Sequence, residues 1–151
     1  MKCVSQSAEK DKYNVIHIAT HAKFSGTKEQ TYIETYQEKI SLGKLEQVLN
    51  QRKLDNRIEL LTLSACETAA GSERAILGLA GVAIRSNVNT VLGSLWSVSD
   101  QEMASLITDF YHYWLSDKLT RPQALRQAQL NLIKMADFHP AIWSSLILIE
   151  R

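Results

Sequence analysis

The chain has 151 residues, 45% of them hydrophobic, and carries 17 Lys and Arg against 16 Asp and Glu. That length and composition fit one domain with a real apolar core. A net charge of +1 supplies no long-range field to draw in nucleic acid or an acidic membrane surface, so neither is expected as a partner.

Of the 2 cysteines, Cys3 lies in a polar leader and Cys66 in mid-chain. They make no disulfide framework and fit a reducing compartment. The leader, residues 1–12, has no apolar stretch of the signal-peptide kind, and no apolar run nears the length of a membrane span. A soluble cytoplasmic protein is expected, the leader being a frayed end or linker and residues 13–151 the folded domain.

After the leader, Tyr13 to Thr20 (YNVIHIAT) reads as a buried strand built on Val15, Ile16, Ile18 and Ala19, with His17 inside it and His21 just beyond. Phe24, Ser25 and Gly26 suggest a turn. Tyr32, Ile33, Thr35 and Tyr36 are β-formers around Glu34 and suggest a short hairpin or edge strand. Ser41 is a natural N-cap for a helix with Leu42, Leu45, Val48 and Leu49 on one stripe, closed by the polar residues 50–56. Ile58 to Ser64 is the second buried strand, and Cys66 stands just past it, where open α/β sheets keep their sites.

A small-residue loop over 70–72 leads to a helix from Glu73 to Arg85. Its apolar face is Ile76, Leu79, Ala80, Ala83 and Ile84. Gly78 and Gly81 each weaken that helix by roughly 1 kcal/mol relative to Ala, which suggests a close approach to the sheet. Asn87 and Asn89 mark a turn into a third strand, Thr90 to Trp96.

Ser99 with Glu102 forms an S-x-x-E capping box. It starts a helix whose stripe is Met103, Leu106, Ile107, Phe110, Tyr111, Trp114 and Leu115, ending near Asp117. Thr120 and Pro122 open another, striped by Leu125, Ala128, Leu132 and Met135. His139-Pro140 breaks it, and Trp143 to Ile149 reads as a last strand. Strands alternating with helices give an α/β fold with a mainly parallel sheet.

Cys66 and His21 thus end two strands, and together they have the residue types of nucleophilic thiol catalysis. An imidazolium neighbour can lower a cysteine pKa from near 8.5 to between roughly 3.5 and 7.5. Backbone N–H groups at a strand-to-loop turn can hold the oxyanion that follows attack. On types and positions alone the plainer reading is structural, with a small buried thiol and a hydrogen-bonded histidine at a strand end. His17 reads as a satisfied core histidine, and His112 and His139 as structural. Glu67 either tunes the thiol's surroundings or binds nearby backbone N–H groups. With no zinc-type spacing, neither a metal nor another cofactor is expected.

The words VIHIATHA, LLTLSACETA, GLAGVAI, VLGSLWSVSD, ALRQAQ and HPAIW, in this order, resemble the CHAT family. These are caspase-like cysteine peptidase domains, related to separase and often found beside tetratricopeptide repeats. The resemblance covers nearly the whole chain and implies a caspase-like three-layer α/β fold. It implies His21 as general base, Cys66 as nucleophile, and the backbone amides of Cys66 and Ala22 as oxyanion hole. Trp96 and Asp100 would help build the pocket for the residue before the cut; the plainer role of Asp100 is a charge at a helix N-terminus.

The chain departs from the family in two ways. Ala22 stands where glycine usual to the family would leave φ free. The leader is also too short for the strands that precede the H-x-A-T-H word in full CHAT domains. Residues 13–151 would then be the C-terminal portion of the domain, lacking its N-terminal strands. Peptide-bond hydrolysis is the expected activity, on a protein or peptide substrate. The alternative is a catalytically weak module for protein interaction or regulation. An exposed strand edge implies a homodimer or a repeat-containing protein partner.

Overall fold

The computed structural model describes residues 13–20, 22–23, 31–36, 38–51, 57–64, 73–135 and 139–151. Its main sheet has four strands, β1 (Val15–Ile18), β5 (Ile58–Leu63), β6 (Val88–Ser94) and β7 (Leu146–Glu150), in the order β1-β5-β6-β7. The first three are parallel; β7 runs antiparallel to β6. A second, antiparallel sheet is made of β2 (Ala22–Lys23), β3 (Tyr32–Glu34) and β4 (Lys39–Ser41). Thr35 closes its β3–β4 turn, its hydroxyl donating to the Glu38 carbonyl at 2.7 Å. The turn suggested at Phe24 to Gly26 lies outside the described residues.

Helices cover both faces of the main sheet. On one side lie α1 (Leu42–Asn50) and α2 (Glu73–Arg85), packed with Ile18, Leu61, Leu63 and Val91. On the other lie α3 (Asp100–Tyr111) and α4 (Arg121–Lys134), packed with Leu60 and Leu92. The period-2 alternation of β5 therefore divides one apolar run between two cores, as a sheet buried on both faces requires. The result is a three-layer α/β architecture, consistent with a caspase-like fold. Among the described residues, no helix is long and apolar enough to cross a membrane.

The helix starts follow from local chemistry. Ser41 ends β4 and caps α1, its hydroxyl accepting the Lys44 N–H at 3.3 Å. Ser99 and Glu102 form the expected capping box on α3, and Thr120 with Gln123 forms another on α4. The last strand begins later than expected. Pro140–Trp143 is a short helical turn, α5, whose N-cap His139 accepts the Ala141 N–H at Nδ1 (3.2 Å).

Four further expectations are corrected. First, among the described residues β1 lies at the end of its sheet, and only Ile18 of it is fully buried; Val15 and Ile16 are half-buried and Ala19 is exposed. A terminal strand has a packed neighbour on one side alone. Second, the α3 stripe does not continue through Leu115, which is 61% exposed. A π-helical turn, His112–Ser116, follows Tyr111, with Asp117 N–H bonded to the His112 carbonyl at 3.3 Å. Its wider winding shifts the angular phase of every later side chain. Third, Met135 is 58% exposed because α4 ends at Lys134. Fourth, Gly78 and Gly81 serve no close approach. Among the described residues, a methyl group at Gly78 would meet nothing within 4 Å, and at Gly81 only the flexible Arg85 guanidinium at 3.6 Å.

Candidate functional site

The pairing of β1 with β5 positions the site. Ile18 is level with Leu63 in parallel register, and His21 and Cys66 each follow three residues later in the sequence. His21 and Cys66 themselves, like Glu67 and Cys3, lie outside the described residues. What is described is the platform from which both leave. Its last rung is a backbone bond from Ser64 N–H to the Ile18 carbonyl, 3.1 Å.

Beneath that rung is a polar cluster on the α3 face. His17 Nε2 and Ser64 Oγ are 3.0 Å apart. Thr62, the register partner of His17, is fully buried. Its hydroxyl is hydrogen-bonded to the Tyr111 hydroxyl at 2.8 Å. The His17 and Tyr111 rings lie 5.8 Å apart between centroids. His17 is thus an exposed, hydrogen-bonded side chain rather than the core histidine the sequence suggested, since among the described residues its strand has a neighbour on one side alone. Desolvation still lowers its pKa below the ordinary value, and burial raises that of Tyr111. Both rings are therefore neutral near pH 7.

Ser64 and Tyr111 did not stand out in the sequence, yet a signal was there. His17, Thr62 and Ser64 are polar residues at alternate positions of otherwise apolar strands. Period-2 geometry sends all three to one face, and Tyr111 is the polar group of α3 that meets them.

Trp96 and Asp100 follow β6. The Trp96 indole N–H donates to the Ala141 carbonyl at 2.6 Å and ties the β6–α3 connection to α5. Asp100 is exposed in the first turn of α3, where the helix dipole favours a carboxylate. Ala22 is a buried residue of β2, paired with Ile33. It is not among the described residues of positive φ, Asn87 and Lys118, so its methyl group imposes no backbone strain. His112 is exposed, 3.9 Å from the Asp117 carboxylate, and His139 is the α5 N-cap. Among the described residues, no cluster of His, Cys, Asp and Glu has the geometry to hold a metal ion.

No curated protein matches the chain. The family profile described as "CHAT domain" matches residues 1–151, the whole of it. With a three-layer α/β fold whose parallel strands β1 and β5 lead into the H-x-A-T-H and S-A-C-E-T words, the chain belongs to the CHAT domain family.

Proposed function

We propose that this CHAT domain is a cysteine-type endopeptidase in which Cys66 is the nucleophile and His21 the general base and acid. The observation that carries the reading is the parallel pairing of β1 with β5. It starts the two connecting segments from neighbouring, level strand ends, Ile18 beside Leu63. The family supplies the chemistry. His21 takes the thiol proton, and the Cys66 sulfur attacks the peptide carbonyl. The backbone N–H groups of Cys66 and Ala22 hold the oxyanion. The peptide C–N bond then breaks as His21 protonates the leaving amine. Water, deprotonated by His21, hydrolyses the thioester and frees the thiol.

Asp100, which like Trp96 follows β6, would offer a carboxylate to a basic residue before the cut. A second reading, a weakly active interaction module, is favoured by the place of β1 at the end of the sheet among the described residues. Its outer edge would pair with a strand of a second copy or of a repeat-containing partner.

The test is limiting iodoacetamide labelling of the native chain across a pH series, read by mass spectrometry. Cys66 is expected to react near pH 7 at least about tenfold faster than Cys3, and His21→Ala to move its profile towards that of a free thiol. Equal reactivity of the two cysteines, or an unmoved profile, would falsify the activated thiol. A fluorogenic peptide library then reads specificity. Preference for Arg or Lys before the cut should fall in Asp100→Asn, and indifference to charge would return Asp100 to its helix-terminal role.

A further inference from the structure

We propose that His17 and Ser64 are positioning residues, a side-chain tether that sets the path by which the chain leaves β5 towards Cys66. The inference rests on the reading of Cys66 as the reactive thiol. Ser64 is fastened to β1 twice, by its N–H to the Ile18 carbonyl (3.1 Å) and by its hydroxyl to His17 Nε2 (3.0 Å). The first bond belongs to the sheet ladder and would exist with any side chain. The second exists only because residue 17 carries a ring nitrogen and residue 64 a hydroxyl.

Its location argues for placement rather than for core stability. His17 is exposed and Ser64 half-buried just past the carboxyl end of β5, and neither is a member of the two apolar cores. The ring is backed by Tyr111, which is itself fixed through the buried Thr62 hydroxyl. A chain of contacts therefore runs from α3 through Tyr111 and His17 to Ser64, two residues before the thiol. A nucleophile and its base work only within a narrow range of distance, and a misplacement of about 1 Å can cost on the order of a hundredfold in rate. Fixing the strand end limits that freedom for Cys66 relative to β1, the strand that leads to His21.

The test uses the full chain, with iodoacetamide as probe and the pH profile of Cys66 alkylation as readout. A merely structural bond would not move that profile. His17→Ala and Ser64→Ala are each expected to slow alkylation at pH 7 by about tenfold and shift the profile towards that of a free thiol, near 8.5. The double variant should be no slower than either single one, since both remove the same bond. His17→Gln, which keeps a side-chain amide within reach of Ser64, should recover most of the rate.

An unmoved profile in folded Ser64→Ala, or losses that add in the double variant, overturns the tether. If His17→Ala does not fold, Ser64→Ala against Ser64→Thr reads the same bond. His21→Ala separates the two readings. A profile moved by His21→Ala but not by the His17 and Ser64 variants removes the tether alone. One moved by those variants but not by His21→Ala removes the dyad and keeps the tether. One moved by none removes both.

Discussion

His17 is exposed and yet desolvated, because its ring packs beside Tyr111 while hydrogen-bonded to Ser64. Its pKa in the folded state therefore lies below the ordinary value of about 6.5. The folded chain binds that proton less readily than the unfolded one. The contribution of His17 to stability is thus complete above about pH 6.5 and is lost as pH falls through the depressed folded value. Ser64 and Tyr111, which contact it, carry no charge in that range. Thermal unfolding between pH 7.5 and 5 should show the wild type losing more stability than His17→Gln. Equal losses would mean that the imidazole is as well solvated in the fold as in the open chain.

At the scale of elements, helix termini and helix interiors give opposite predictions. Ser99 accepts the Glu102 N–H while the Glu102 carboxylate reaches back to the Ser99 N–H. Ser99→Ala leaves those donors to water, and urea unfolding should report a loss of about 1 kcal/mol. Gly78 is exposed in the middle of α2, and no described residue lies within 4 Å of where its Cβ would stand. Gly78→Ala is expected to stabilise the chain by up to about 1 kcal/mol, since nothing opposes the better helix propensity. A loss at Gly78→Ala would mean that this position faces a partner.

For the molecule as a whole, the decisive feature is the place of β1 at the end of the main sheet among the described residues. Its inner edge is paired with β5, and its Val15 and Ile16 side chains are half-buried. A parallel strand with apolar side chains is a template for another strand. If the outer edge is taken by a second copy, light scattering coupled to size exclusion at low micromolar concentration will give about twice 17.0 kDa. Hydrogen exchange at the Val15–Ile18 amides should then slow as concentration rises. A monomer in which those amides exchange rapidly would mean that the edge is tolerated bare.

Local sequence determined much of this fold, because its determinants are local. Three- to four-residue spacing marked α1 to α4, Ser41, Ser99 and Thr120 marked their starts, and continuous apolar runs marked β5 and β6. The H-x-A-T-H and S-A-C-E-T words pointed to the family, which the profile match over residues 1–151 establishes. Tertiary structure alone decided three further matters. It decided that Val15 and Ile16 of β1 are only half-buried, because burial depends on what packs over a strand and not on its own apolar run. It decided that the α3 stripe keeps Trp114 but loses Leu115, because a π turn changes the angular phase that spacing assumes. And it joined His17 to Ser64 and Tyr111 to Thr62, contacts between residues 47 and 49 positions apart. Periodicity can assign a face to each of these residues, but only the parallel register of β1 on β5 and the packing of α3 choose its partner.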